Sequence, residues 1–132
     1  MPDHTTFAGA DTAAAQAYQT ALDDLLHITA AAQPARLRID RCPTFVHGQL
    51  LLVLLALADH DLHDASDRLD HLATLHMPRR HRQLCEIVRL VVHNDRYRFQ
   101  ILTTEHLAEH PDDQKLLVAA EIALARAPRP TP

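Results

Sequence analysis

The longest uninterrupted apolar stretch of the chain is Leu50–Ala58, in which nine consecutive residues are apolar. A helix with this pattern has no polar face, so it must be covered on nearly all sides. The stretch is too short to cross a bilayer, which takes about 20 residues. It therefore predicts a buried central helix over Pro43–Ala58, with Pro43 at the first position, where an N–H group is not needed.

Apolar residues recur at intervals of three and four in the rest of the chain, which predicts six further helices. Their predicted limits are Asp11–Ile28, Ala30–Arg41, Leu62–His76, Pro78–Val92, Arg96–Glu109 and Pro111–Arg126. The pattern predicts one all-α domain over residues 11–127, with disordered tails at residues 1–10 and 128–132. The residues predicted to face the core are Tyr18, Ala21, Leu22, Leu25, Leu26, Ala65, Leu69, Leu72, Ala73, Leu84, Ile87, Val88, Val91, Phe99, Leu102, Thr103, His106, Leu116, Leu117, Ala120, Ala123 and Leu124.

The residues between the helices repeat with a period near 34. Pro43, Pro78 and Pro111 are 35 and 33 residues apart, and His60-Asp61 recurs after 34 residues as Asn94-Asp95. This is the period of tetratricopeptide repeats, in which each unit is a pair of antiparallel helices. We expect a right-handed α-solenoid of about seven antiparallel helices, in which neighbouring hairpins share one continuous core.

Five short groups of residues occur one after another along the predicted helices. They are Ala17-Tyr18 with Ala21-Leu22 and Leu25, Pro43–Gly48 before the leucine run, Arg79-Arg80 with Gln83, Asn94-Asp95, and Leu107–Asp113. In this order they resemble the N-terminal part of the tetratricopeptide repeat protein 38 family, and the resemblance covers nearly the whole chain. The chain departs from the family where Cys42 precedes Pro43 in place of an aspartate and where His81 replaces an acidic residue. The resemblance implies a helical-repeat interaction scaffold and no defined chemistry.

The amino-acid composition limits the classes of protein to which the chain can belong. At 132 residues and 47% apolar content, the chain is long enough for one domain with a substantial core. Seventeen acidic residues against 13 lysines and arginines give a formal charge of −4, so no nucleic-acid partner is expected. No leader peptide opens the chain and no membrane partner is expected, so we predict a cytoplasmic location.

Three isolated polar features have structural interpretations. His47 precedes the leucine run, and we expect a buried neutral imidazole bonded to a backbone carbonyl. Asp112-Asp113 is expected to be a charge pair in the first turn of the last helix. Cys42 and Cys85 lack the number and spacing of a disulfide framework or zinc ribbon, and we expect small core residues.

The fourth predicted helix carries the richest chemical constellation. His63, Asp67 and His71 lie at i, i+4 and i+8, so one helix face could present ligands to zinc or nickel. A single helix lacks a converging further ligand, and polar outer faces are common, so a solvated face is the preferred interpretation. No glycine-rich, nucleophile or paired-cysteine signature is present, which favours a non-enzyme without a cofactor.

The fifth predicted helix carries a polar stripe at helical spacing, formed by Arg79, Arg82, Glu86, Arg89 and His93. The first helix of each tetratricopeptide-like pair lines a concave groove. An arginine stripe in such a groove suits an acidic peptide or a C-terminal carboxylate, with Lys115 adding a further base. The open alternative is a solvated face in which Glu86 pairs with Arg82 and Arg89.

The last predicted helix places Val118 and Ile122 opposite its core face, with no following helix to cover them. An uncapped apolar strip at the end of a solenoid indicates contact with another chain, most simply a second copy in a homodimer. We therefore predict a protein-interaction scaffold that binds a protein partner or self-associates. The alternative is a metal-binding protein or metal-dependent enzyme using the His/Asp stripe of the fourth helix.

Overall fold

The computed structural model describes residues 11–27 and 33–126, which form seven α-helices and their connections. The helices are α1 Thr12–His27, α2 Gln33–Asp40, α3 Val46–Ala58, α4 Leu62–Ala73, α5 Arg79–Val92, α6 Arg96–Glu109 and α7 Gln114–Arg126, with a 3₁₀ turn at Pro111–Asp113 before α7. No strand occurs in these two ranges, so the all-α prediction is confirmed. The predicted tails at residues 1–10 and 128–132, and the predicted helix limits at Ile28 and Ala30, lie outside the described residues.

Helix α3 is the centre of the molecule, as its apolar run predicts. Every residue from Val46 to Ala56 is buried, and α1, α2, α4, α5 and α7 all pack against this helix. The helix begins at Val46 rather than at the predicted Pro43, because Cys42–Phe45 closes a turn in which the Phe45 amide donates to the Cys42 carbonyl at 3.0 Å. None of the described helices is both long and apolar enough to span a membrane.

The approach of α2 to α3 depends on Gly48. A Cβ atom at this position would lie 2.5 Å from the ring of Phe45 and 2.7 Å from Ile39, so any larger side chain would push these residues away. The close packing buries the first turn of α3. The neighbouring residue His47 is buried with it.

The hairpins α3–α4 and α5–α6 share one turn geometry. His60 and Asn94 both adopt a left-handed backbone conformation, with φ of 60° and 57°. In each turn the next residue, Asp61 or Asp95, caps the following helix by accepting a hydrogen bond from a backbone amide three residues on. The 34-residue spacing of these two pairs therefore corresponds to two equivalent connections, of the kind that ends a helix with a left-handed residue.

Helix α7 is the last helix of the described residues. It packs against α1 and α3 as well as against α5. An open solenoid limits contacts to adjacent repeats, whereas these contacts fold the last helix back over α3. Its buried residues are Leu116, Leu117, Ala119, Ala120 and Leu124.

The predicted inward faces agree with the structure at most positions. Tyr18, Ala21, Leu22, Ala65, Leu69, Leu72, Leu84, Ile87, Val88, Val91, Phe99 and His106 are buried. Leu102, Thr103 and Ala123 are half-buried, and Ala73 is exposed, contrary to prediction. Helix α4 ends at Ala73 rather than His76 because the Thr74 hydroxyl and amide both donate to the His71 carbonyl. The Leu25 and Leu26 side chains lie outside the described part of the chain.

Candidate functional site

A buried carboxylate, Asp113, joins α3, α5 and α6 to the start of α7. Its side chain is 2% exposed. His47 Nε2 lies 2.8 Å from Oδ1, and His106 Nε2 lies 2.6 Å from Oδ2. Arg80 donates from Nη2 to Oδ1 at 2.8 Å and from Nε to Oδ2 at 3.1 Å. Three side chains from three helices therefore converge on one residue of the 3₁₀ turn.

The network extends outward through further imidazoles and an amide. Gln83 Oε1 lies 2.7 Å from Nδ1 of His106. The rings of His47 and His81 are perpendicular with centroids 5.3 Å apart, and those of His106 and His110 are 5.0 Å apart.

The surroundings of Asp113 stabilise the ionised form of its carboxylate. Burial alone would raise its pKa, but hydrogen bonds from His47, Arg80 and His106 outweigh burial and hold the pKa well below its usual range. The pKa of His81 is lowered by burial and by the nearby His47 and Arg80. Burial and the Asp113 charge both raise the pKa of Tyr18, so this phenol stays neutral.

The hydrogen bonds on Asp113 indicate a structural role for this carboxylate. An ionised carboxylate has about four lone-pair positions for acceptance, and His47, His106 and the two Arg80 contacts supply four donors. These contacts use about as many positions as the carboxylate offers. The arrangement fixes α7 and the 3₁₀ turn against the hairpins.

The structure adds to two predictions about this network. His47 is buried as predicted, and its Nε2 lies against the Asp113 carboxylate, a partner that the sequence did not predict. Asp112 and Asp113 both lie in the first turn of the 3₁₀ helix before α7, but Asp112 is exposed while Asp113 is buried. The sequence held one signal for this burial. Asp113 precedes Leu116 and Leu117 by three and four residues, which places it on the same helix face.

The arginine stripe of α5 lies on the surface. Arg79, Arg82, Glu86 and His93 are exposed, and Arg89 is half-exposed. Arg89 donates to Asp70 of α4 at 3.3 Å, so the predicted pairing of Glu86 with Arg82 and Arg89 is not observed. Within the described chain, no carboxylate lies within ion-pair distance of Arg79 or Arg82. Lys115 is exposed on α7, the helix that packs beside α5.

The apolar strip predicted on α7 is partly accessible. Val118 is 38% exposed, and Ile122 is half-buried and lies outside the hydrophobic core. The other face of α7, which was predicted to point to the core, packs on α1, α3 and α5.

The His/Asp stripe of α4 is a solvated face. His63 Nε2 lies 3.2 Å from Asp67 Oδ2, and both side chains are largely exposed. His71 is also exposed. Among the residues that the structure describes, no group of three or more His, Cys, Asp or Glu side chains has the geometry to hold a metal ion. The metal-binding alternative gains no support from this geometry.

The cysteines are free thiols in half-buried positions. Burial raises the pKa of Cys85 to about 11, and its Sγ lies 3.9 Å from Sδ of Met77. Both cysteines pack against the hydrophobic core. The thiol form of Cys85 therefore predominates at neutral pH, which is unfavourable for a nucleophile.

The comparisons with known proteins add no relative. No family model matches the chain, no curated protein is similar to it, and no solved structure matches its fold.

Proposed function

We propose that this protein is a non-catalytic interaction module that binds an acidic protein segment through the arginine stripe of α5. The observation that carries this proposal is the accessibility of Arg79 and Arg82, which have no carboxylate partner in the described chain. The module has a tetratricopeptide-like order of helical hairpins, supported by the equivalent α3–α4 and α5–α6 turns.

The position of these arginines is unfavourable for the helix that carries them. The first turn of α5 contains Arg79, Arg80 and Arg82 and no acidic residue. Positive side chains at a helix N-terminus oppose the helix dipole, which favours negative charge there. Arg80 is compensated by Asp113, but Arg79 and Arg82 are not. Their charge is better explained by an acidic partner than by the stability of α5, since guanidinium groups recognise carboxylates in bidentate geometry.

Replacing both arginines, as Arg79→Glu with Arg82→Glu, should weaken binding of an acidic peptide at least tenfold. The melting temperature should stay the same or rise slightly, because glutamates suit the first turn of a helix. Fluorescence anisotropy of a labelled oligoglutamate peptide, measured at two salt concentrations, reports the affinity and its electrostatic part.

The matched control is Arg38→Glu with Arg41→Glu on and after α2, two exposed arginines that change the net charge equally. This control should keep most of the affinity. Equal weakening in both double variants would show that only net charge matters, and an unchanged affinity in the α5 variant would reject the proposed surface.

Self-association through Val118 and Ile122 is the second contact that we propose. The pair Val118→Asp with Ile122→Asp should convert a dimer to a monomer in sedimentation velocity, because it places two charges in an apolar contact. The control Tyr97→Asp with Ile101→Asp alters two exposed apolar residues of α6 and should leave the assembly unchanged. A wild type that is monomeric at high concentration would contradict this contact.

A further inference from the structure

Helix α6 has fewer buried residues than any other helix from α3 to α7. Only Phe99 and His106 of its 14 residues are buried, whereas α5, which has the same length, buries four. On the outer side of α6, Tyr97 is 77% exposed and Ile101 is 42% exposed. Within the described residues, this face of α6 therefore presents large apolar side chains to water.

The exposed apolar residues of α6 have a regular spacing. Four exposed residues at intervals of four, three and four form one stripe, the α6 stripe: Tyr97, Ile101, Thr104 and Ala108. At 100° per residue the stripe lies opposite the buried face of the helix. Thr104 belongs to it because its hydroxyl already donates to the Gln100 carbonyl at 2.9 Å. This is the spacing with which two helices pair along an apolar seam.

Two opposite charges flank the α6 stripe. Arg98 lies in the first turn of α6, which contains no acidic residue, so it opposes the helix dipole. Glu105 follows on the same flank, because seven residues are nearly two full turns. Both side chains are exposed. Arg98 has a contact with Asp95 at 3.8 Å, and Glu105 has no ion-pair partner among the described residues.

These charges define the helix that complements the α6 stripe. A helix that runs antiparallel to α6 brings the negative end of its dipole to Arg98 and the positive end to Glu105. Residues that flank an apolar seam form the ion pairs that set the partner and its orientation. The complementary helix therefore has an acidic residue in its C-terminal half, opposite Arg98, and a basic residue in its N-terminal half, opposite Glu105.

We propose that the α6 stripe binds an amphipathic helix of another protein, antiparallel to α6 and with this order of charges. An amphipathic helix that docks by its apolar face is a common mode of recognition, and tyrosine is enriched at such interfaces. The choice of another protein rests on the self-association through α7 proposed above. Most oligomers are closed, and a second two-fold contact at α6 would link copies into an open chain unless the two axes intersect.

Two helical peptides of identical composition provide the test. Both carry leucine along the face that meets the α6 stripe. The complementary peptide has lysine in its N-terminal half and glutamate in its C-terminal half, and the reversed peptide has these two exchanged. A hydrocarbon staple on the opposite face keeps both helical. Fluorescence anisotropy should show at least fivefold tighter binding of the complementary peptide to the wild type. Equal affinities, or no saturable binding of either peptide, would overturn the proposal.

Exchanging the charges of the protein should exchange this preference. Arg98→Glu with Glu105→Arg keeps the net charge and should bind the reversed peptide at least fivefold more tightly than the complementary one. The matched control, Arg38→Glu with Glu121→Arg, makes the same exchange at exposed positions of α2 and α7 and should keep the wild-type preference. An unchanged preference in the α6 variant would reject the site. The comparison on the wild type decides the proposal even if a variant fails to fold.

Sedimentation distinguishes another protein from a second copy as the occupant of the α6 stripe. Tyr97→Asp with Ile101→Asp should weaken binding of the complementary peptide at least tenfold and leave the sedimentation of the protein unchanged. Slower sedimentation of this variant would assign the α6 stripe to a second copy and overturn the proposed partner. Binding of oligoglutamate to α5 is measured separately, so a failure of that surface is distinguished from a failure of the α6 stripe.

Discussion

Replacing Asp113 by alanine is expected to lower the free energy of unfolding by about 3–5 kcal/mol, the range for breaking a buried ion pair. The substitution leaves Arg80 without its carboxylate and removes the acceptor of both His47 and His106. The loss is large relative to a typical total stability of about 5–15 kcal/mol. Urea unfolding followed by circular dichroism measures the difference.

The neighbouring residue provides the control for this prediction. Asp112 is exposed, so Asp112→Ala should change the free energy of unfolding by no more than about 0.5 kcal/mol. Asp113→Asn keeps the side-chain shape but removes the charge. Its free energy of unfolding should lie between those of Asp113→Ala and Asp112→Ala. If Asp113→Ala unfolds at the same urea concentration as Asp112→Ala, the carboxylate does not hold α7 to the hairpins.

The helices could be predicted from the sequence because their signals are local. The limits of α6 match the prediction at both ends, and all four predicted inward residues of α5 are buried. The three-to-four spacing of apolar side chains determines which face a helix buries, and no distant residue is needed for that inference. The central position of α3 follows in the same way from its continuous apolar run.

The network around Asp113 could not be predicted in full because its partners are distant in the chain. His47 lies 66 residues before Asp113 in the chain, and Arg80 lies 33 residues before Asp113. The packing of α7 on α1, α3 and α5 brings Asp113 to these partners, and this packing is a tertiary contact without a local signal. The 34-residue period predicted stacked hairpins, but it carried no information on where α7 would pack.

For the arginine stripe of α5, the sequence predicted which side chains are exposed but not which of them form ion pairs. Its spacing predicted one continuous polar face on α5, and Arg79 and Arg82 are exposed there. The pairing of Arg89 depends on Asp70 of the preceding helix, and cross-helix contacts of this kind are set by helix packing. The sequence could therefore identify a candidate surface but not which of its charges remain available.

Leu54→Asp is expected to prevent folding. Leu54 is fully buried within α3, the helix that the other elements surround. An ionised carboxylate at this position would have no partner, and its burial costs several kcal/mol in addition to the lost apolar contact. This sum approaches or exceeds the stability of an ordinary domain. The far-ultraviolet helical signal and the cooperative thermal transition should both be lost.

The control for this prediction places the same substitution where water can reach it. Leu62 is 55% exposed at the first position of α4, where the helix dipole favours a carboxylate. Leu62→Asp should therefore keep the helical signal and melt within a few degrees of the wild type. If Leu54→Asp melted as cooperatively as Leu62→Asp, α3 would not be the enclosed centre of the fold.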